Sequence, residues 1–238
     1  MQLATIDFLI GNTDPLPKET ALMCMVAAMT ADGHVAETAN LLRYVLQEHS
    51  NLEEVREMII QTHLFCGYPK ALNALNALRQ AAEKEGVDLS SLRSEPSEEG
   101  ADEKMLVERG AKLWGQVYGD NASKVTARAK ELSPDLEYWS RLEGYGRVLS
   151  REGSEPLTRQ FAIVAALMLL DVHPQLKGHI QGALNMGATK DQLWALLTTV
   201  RKLFEANKLF DAVQKVFESV LGKKQSDLSL EEERKYQW

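Results

Sequence analysis

An internal repeat limits the fold of this chain more than any other feature. Residues 41–46 lie opposite residues 179–184, and residues 51–58 opposite residues 189–196, at one offset (179 − 41 and 189 − 51 both give 138). Each stretch ends in a breaker, His49-Ser50 or Gly187-Ala188, and then a helix start. Asn51 with Glu54, and Thr189 with Gln192, have the N-cap and N3 spacing that satisfies free backbone N–H groups. Upstream, Leu16-Pro17-Lys18-Glu19 faces Leu157-Thr158-Arg159-Gln160 at a larger offset (159 − 18 = 141). That alignment places three extra residues in the first unit's Asp32-Gly33-His34 turn. Each unit then reads as a helical hairpin followed by a third helix, so the two halves are comparison sets for each other.

Apolar positions recur at helical spacing almost everywhere. Helices are expected over residues 17–30, 37–48, 52–65 and 70–84, with Gly67-Tyr68-Pro69 breaking the third from the fourth. Residues 87–102 are rich in Ser, Pro, Gly and acid and form the linker. Helices resume over 103–118, 122–132 and 135–149, the last opened by Ser133-Pro134. No alternating Val, Ile and Thr run supports a strand, so the fold class is all-α. The expected domains are a first repeat (1–86), the linker (87–102), a second repeat with preceding helices (103–222) and a tail (223–238), whose Trp238 could dock on a neighbour or fray.

At 238 residues and 45% hydrophobic content the chain can bury a substantial core. Its net charge of −7 and the absence of a basic face exclude nucleic acid as the expected partner. The most apolar stretch, residues 161–170, is too short to span a bilayer, and the first residues lack a signal-like apolar run. No membrane association is expected, and the cytoplasm is the expected location. Cys24 and Cys66 read as small buried hydrophobes rather than a disulfide framework. His49, His63 and His173 have no metal-ligand spacing with carboxylates, so no metal is implied.

Three segments together carry a family resemblance: residues 143–151 (Glu143 to Arg151), Thr158-Arg159-Gln160, and residues 179–189 (His179 to Thr189). With Lys18-Glu19 and residues 66–75 of the first half, the chain resembles two fused domains of the carboxymuconolactone decarboxylase family, within the alkylhydroperoxidase D-like superfamily. The resemblance covers roughly three quarters of the chain. It implies an all-helical fold of two tandem repeats that assembles into rings, with sites buried among helices near subunit contacts and no bound cofactor. A fused pair mimics a dimer of single-domain subunits, so a homo-oligomer is expected, a trimer with pseudo-sixfold character.

The superfamily holds two chemistries. Its peroxidases use a Cys-x-x-Cys-x-x-x-His motif, but aligning His179 to that histidine puts Val172 and Gln175 at the cysteine positions, and the relay glutamate falls near Gln160. In the first copy Leu41 replaces the histidine. Peroxidase chemistry is therefore disfavoured, and a lone peroxidatic Cys66 is opposed by its place at a helix C-terminal end.

The resemblance favours a lyase acting on a small lactone or cyclic carboxylate, which needs a proton carrier and a cation for the carboxylate or oxyanion. His179 is the acid/base candidate and Arg159 the anion-recognition candidate, with Tyr145 and Arg151 as substrate contacts. The alternative for His179 is a carbonyl contact in the core, and for Arg159 a pairing with Glu155 or solvent. A third reading is a non-catalytic helical binding or assembly protein on the same scaffold.

Overall fold

A computed structural model describes residues 3–11, 13–48, 51–92, 100–204 and 208–223, and every regular element among them is helical. The first half contains α1 (Leu3–Ile10), α2 (Lys18–Asp32), α3 (Val35–Glu48), α4 (Leu52–Gln61), the short α5 (His63–Cys66) and α6 (Tyr68–Glu85). The second contains α7 (Glu103–Tyr118), α8 (Ala122–Leu132), α9 (Pro134–Trp139), a π-helix (Ser140–Leu149), α10 (Pro156–Leu167), α11 (His173–Asn185), α12 (Lys190–Leu203) and α13 (Leu209–Leu221). The described residues between α6 and α7 carry no helix. Residues 205–207, the His49-Ser50 breaker and the tail beyond residue 223 with Trp238 lie outside the described residues.

The starts of these helices follow from their caps. Thr189 and Gln192 form the full reciprocal box, with N···O distances of 3.1 and 2.9 Å. Ser133 accepts from the Leu136 N–H at 3.2 Å, and Pro134 fills the first helical position. Asn51 accepts from the Glu54 N–H at 3.2 Å, but the Glu54 carboxylate does not reach back. It takes the Ser154 hydroxyl at 2.6 Å instead, so a cap residue of the first half is spent on a contact with the second.

Two helices form the centre. Residues 21–31 of α2 are all buried, and in α10 burial runs from Arg159 to Leu167. A helix apolar on every side belongs in an interior, and α2 and α10 satisfy each other by packing together. Around them α3 packs on α6, and α11 on α13 and α7. The resulting core is one continuous apolar cluster that draws on both halves.

The helix starts revise the alignment of the halves. Lys18 and Pro156, Val35 and His173, and Leu52 and Lys190 open corresponding helices at one spacing (156 − 18, 173 − 35 and 190 − 52 all give 138). The three extra residues expected at Asp32-Gly33-His34 are therefore not in that turn, which is shorter than the 168–172 connection after α10. Instead α2 runs 15 residues against 12 in α10. It gains its last turn because Gly33 adopts φ 92°, sends its N–H to the Met29 carbonyl, and the Lys70 ammonium caps the Ala31 carbonyl. In this register Ala21, not Lys18, corresponds to Arg159.

The helix expected over 135–149 is two elements. After α9 the chain widens into ten residues of π-helix, an uncommon conformation that concentrates at functional sites. Its position is fixed by glycine contacts with α7. A Cβ at Gly110 would collide with the Arg141 carbonyl oxygen, and one at Gly146 with the Leu106 carbonyl oxygen. The Arg109 guanidinium then donates to the Gly146 carbonyl, with Nε at 2.9 Å, tying a carbonyl of the widened helix to α7.

Candidate functional site

The closeness of α7 to the π-helix leaves a cavity of about 380 Å³ beside α11. Trp114 and Tyr118 of α7, Tyr145 and Glu143 of the π-helix, and His179 of α11 line it. Leu64 and Phe65 of α5 bring in the first half, so the cavity is composite. At the rim, Leu136 and Trp139 are 64% and 54% exposed. A mostly apolar concavity with a few convergent polar groups is the usual form of a small-molecule site.

His179 is 6% exposed, and Phe65 meets its ring edge-on at 5.7 Å between centroids. The Gln160 Nε2 atom lies 2.9 Å from both the Nδ1 and the backbone carbonyl oxygen of His179. A carbonyl can only accept, so the shared atom is the amide nitrogen and Nδ1 is an acceptor too. The neutral ring then carries its proton on Nε2. Burial pushes the imidazole down to about 4, so His179 is neutral near pH 7 and presents a polarising N–H rather than an imidazolium. Gly182 makes this contact possible, since a Cβ there would lie 2.8 Å from Gln160 Nε2 and 2.7 Å from Val117 Cγ1.

Three rings form the opposite wall. Trp114 packs on Tyr118 at 4.5 Å and on Tyr145 at 4.8 Å between centroids. The Tyr145 hydroxyl donates to that of Tyr118 at 3.1 Å, leaving the Tyr118 proton for another acceptor. Burial raises both phenols, so both stay protonated. Glu143 is the one carboxylate in the lining among the described residues, and Arg147 Nε donates to it at 2.7 Å.

The sequence candidates divide into two groups. His179 and Tyr145 meet in the cavity. Arg159 and Arg151 do not line it, because both are held by Glu57 of α4. Arg151 binds Glu57 in a fork, Nε to Oε2 at 2.7 Å and Nη2 to Oε1 at 2.8 Å. Arg159, 2% exposed, donates Nη2 to Glu57 at 3.0 Å and to the Glu152 carbonyl at 2.9 Å. Arg159, expected to recognise a substrate anion, is thus paired with a buried carboxylate, neither Glu155 nor solvent, and Arg151 shares that partner.

Glu57, Gln160, Trp114 and Tyr118 were not site candidates from the sequence. Glu57 sits beside Glu53 and Glu54, where nothing in the sequence distinguishes the buried acid from its half-buried neighbours. Gln160 carried a usable signal: an amide at the relay position can fix a histidine even though it cannot carry a proton.

Both thiols are held above their ordinary range. Burial drives Cys24 far above the usual thiol range, and it raises Cys66 as well, whose Sγ contacts the Thr62 carbonyl oxygen at 3.2 Å. Among the described residues no three His, Cys, Asp or Glu side chains gather as a metal site, and no helix is long and apolar enough to cross a membrane.

No family model matches the chain. It is similar to Peroxisomal protein 2 of Saccharomyces cerevisiae, 29% identical over 163 residues that cover 59% of this chain and 57% of that protein. It is similar also to Peroxisomal protein 2 of Schizosaccharomyces pombe, 30% identical over 141 residues that cover 59% of this chain and 63% of that protein. The matched part therefore spans less than two thirds of either relative.

Proposed function

We propose that this chain is a carboxymuconolactone decarboxylase-like enzyme whose His179 cavity holds a small cyclic carbonyl compound and acts on it without redox chemistry. The observation that carries the reading is the Gln160 contact, which holds a neutral histidine of the cavity lining with its proton on Nε2. Such an N–H stabilises charge that develops on a carbonyl oxygen when electrons move toward it, in an elimination or an enolisation. Tyr118 supplies a second protonated donor in the same cavity. Thiol peroxidase chemistry is opposed by the raised pKa of both cysteines.

The test is turnover of a panel of small lactones and cyclic ketones by the wild type and His179→Gln. Loss of turnover in a folded variant is the expected result; equal turnover overturns the assignment. Alkylating both cysteines is expected to change nothing.

A second reading, binding without turnover, is favoured by one observation. Glu143, the carboxylate of the lining, is paired with Arg147 and is poorly placed to serve as a free base. Ligand binding that depends on His179, with no conversion of any compound in the panel, supports that reading.

The two relatives carry a peroxisomal name, and we place this chain in the peroxisome rather than the cytoplasm on that ground. Fluorescent fusions made at each end in turn should coincide with a peroxisomal marker; a diffuse cytoplasmic signal from both overturns the placement. Assembly as a homo-oligomer, with the trimer as the expected form, is tested by light scattering of the purified chain.

A further inference from the structure

We propose that the ligand of the His179 cavity is an uncharged cyclic compound bearing a hydrogen-bond acceptor, a lactone or ketone rather than a carboxylate or an ammonium. The inference rests on the reading of that cavity as the functional site and narrows its substrate class.

The charges decide against an anion. No Lys or Arg lines the cavity among the described residues, and the ionised group that does is a carboxylate, Glu143. Arg151 and Arg159, the cations expected to receive a carboxylate, both hold Glu57. A ligand carboxylate entering here would lose its water with no cation of the lining to receive it, since the nearest one shown, Arg147, is engaged by Glu143, a placement that costs far more than it returns. A catalytic requirement for a substrate carboxylate is therefore at odds with these walls.

The aromatic lining raises the opposite option, a cation held against ring faces. The rings meet one another tilted or edge-to-face, at 4.5 Å for Trp114 and Tyr118 and 4.8 Å for Trp114 and Tyr145, an arrangement that the rings satisfy among themselves without a cation. His179 also turns a proton, not a lone pair, away from Gln160. An ammonium would face that proton, and Glu143, the carboxylate of the lining among the described residues, is already paired with Arg147.

What the walls do offer is two neutral donors, the His179 Nε2–H and the Tyr118 hydroxyl, among Leu64, Phe65 and Leu149. A ligand without an acceptor would leave those donors desolvated and unpaired. A ring with a carbonyl meets both requirements: the apolar body fills the aromatic space and the oxygen takes the donors.

The experiment is calorimetric titration at pH 7.5 of the full chain with four probes of similar size: acetophenone, ethylbenzene, benzoate and benzyltrimethylammonium. Acetophenone should bind at least about tenfold more tightly than each of the others, and His179→Phe and Tyr118→Phe should each reduce that preference several-fold. The Tyr118 variant keeps the ring and stays informative if the His179 variant fails to fold. Tighter binding of benzoate or the ammonium, still weakened by either variant, overturns the ligand class while leaving the cavity reading in place. Equal binding of ethylbenzene overturns the acceptor requirement. No binding, or binding indifferent to both variants, removes the cavity reading and the proposal together.

Discussion

The side-chain nitrogen of Gln160 bridges two acceptors of one residue, the Nδ1 and the carbonyl oxygen of His179, at 2.9 Å each. Replacing it with leucine removes the donor that fixes the tautomer. We expect Gln160→Leu to remain folded at a cost of about 1 kcal/mol. Its ¹⁵N spectrum should show the proton shared between both ring nitrogens, whereas the wild type shows a single Nε2–H form. An unchanged tautomer in the variant would show that the cavity, not Gln160, sets it.

His179 should also impose a pH dependence on stability. Its folded pKa, about 4, is below its ordinary value of 6.5, so the unfolded chain takes up the proton first as pH falls. The contribution is full above pH 6.5, declines between 6.5 and 4, and is constant below. The difference across that window is about 3 kcal/mol at most. Urea unfolding of the wild type and His179→Gln across this range should show a steeper decline in the wild type; parallel curves would refute the shift.

Glu57 is the shared counter-ion of Arg151 and Arg159. The Nε and Nη1 atoms of Arg159 have no partner among the described residues, so its buried charge depends heavily on Glu57. Glu57→Ala is expected to cost about 3–5 kcal/mol in equilibrium unfolding, because the buried Arg159 guanidinium then loses its carboxylate. A loss below 1 kcal/mol would mean that water reaches the cluster freely.

The glycines at the π-helix make a paired comparison. Gly110→Ala forces a methyl group into the Arg141 carbonyl and the Gly146 nitrogen, whereas Gly144→Ala meets nothing within 4 Å. The first should be destabilised by about 1–3 kcal/mol or more. The second should be neutral or slightly stabilised, by up to about 1 kcal/mol, through its effect on the unfolded chain. Equal melting temperatures for the two variants would contradict the packing described for α7.

Thiol reactivity offers a simple check on redox function. With Cys24 buried and both thiols raised, a disulfide reagent at pH 8 should modify Cys66 slowly and Cys24 only on unfolding. Fast modification of either in the native protein would reopen the peroxidase alternative.

The fold was legible where local chemistry determines it. Caps at Ser133 and Thr189 and the all-apolar run of α2 need no tertiary information to be read. The π-helix was not, because its apolar spacing resembles that of an α-helix and its cause is a contact with Gly110, distant in sequence. The site was half legible. His179 and Tyr145 stood out by residue type, but the destination of Arg159 depends on a carboxylate 102 positions away. Sequence spacing carries no sign of such a pairing. The alignment of the halves erred for a related reason: a longer α2 and a longer connection after α10 offset each other, and only helix starts reveal it.

The pairing of α2 with α10 has a consequence for how this chain could be divided. Neither half owns an interior, since each contributes one of the two central helices. Cut between α6 and α7, the first half would present to water the side of α2 that packs on α10 and α12. Such a fragment would seek the nearest surface of the same kind, a second copy of itself. Joining the halves in one polypeptide keeps the matching surface at a high local concentration and so determines which partner α2 finds.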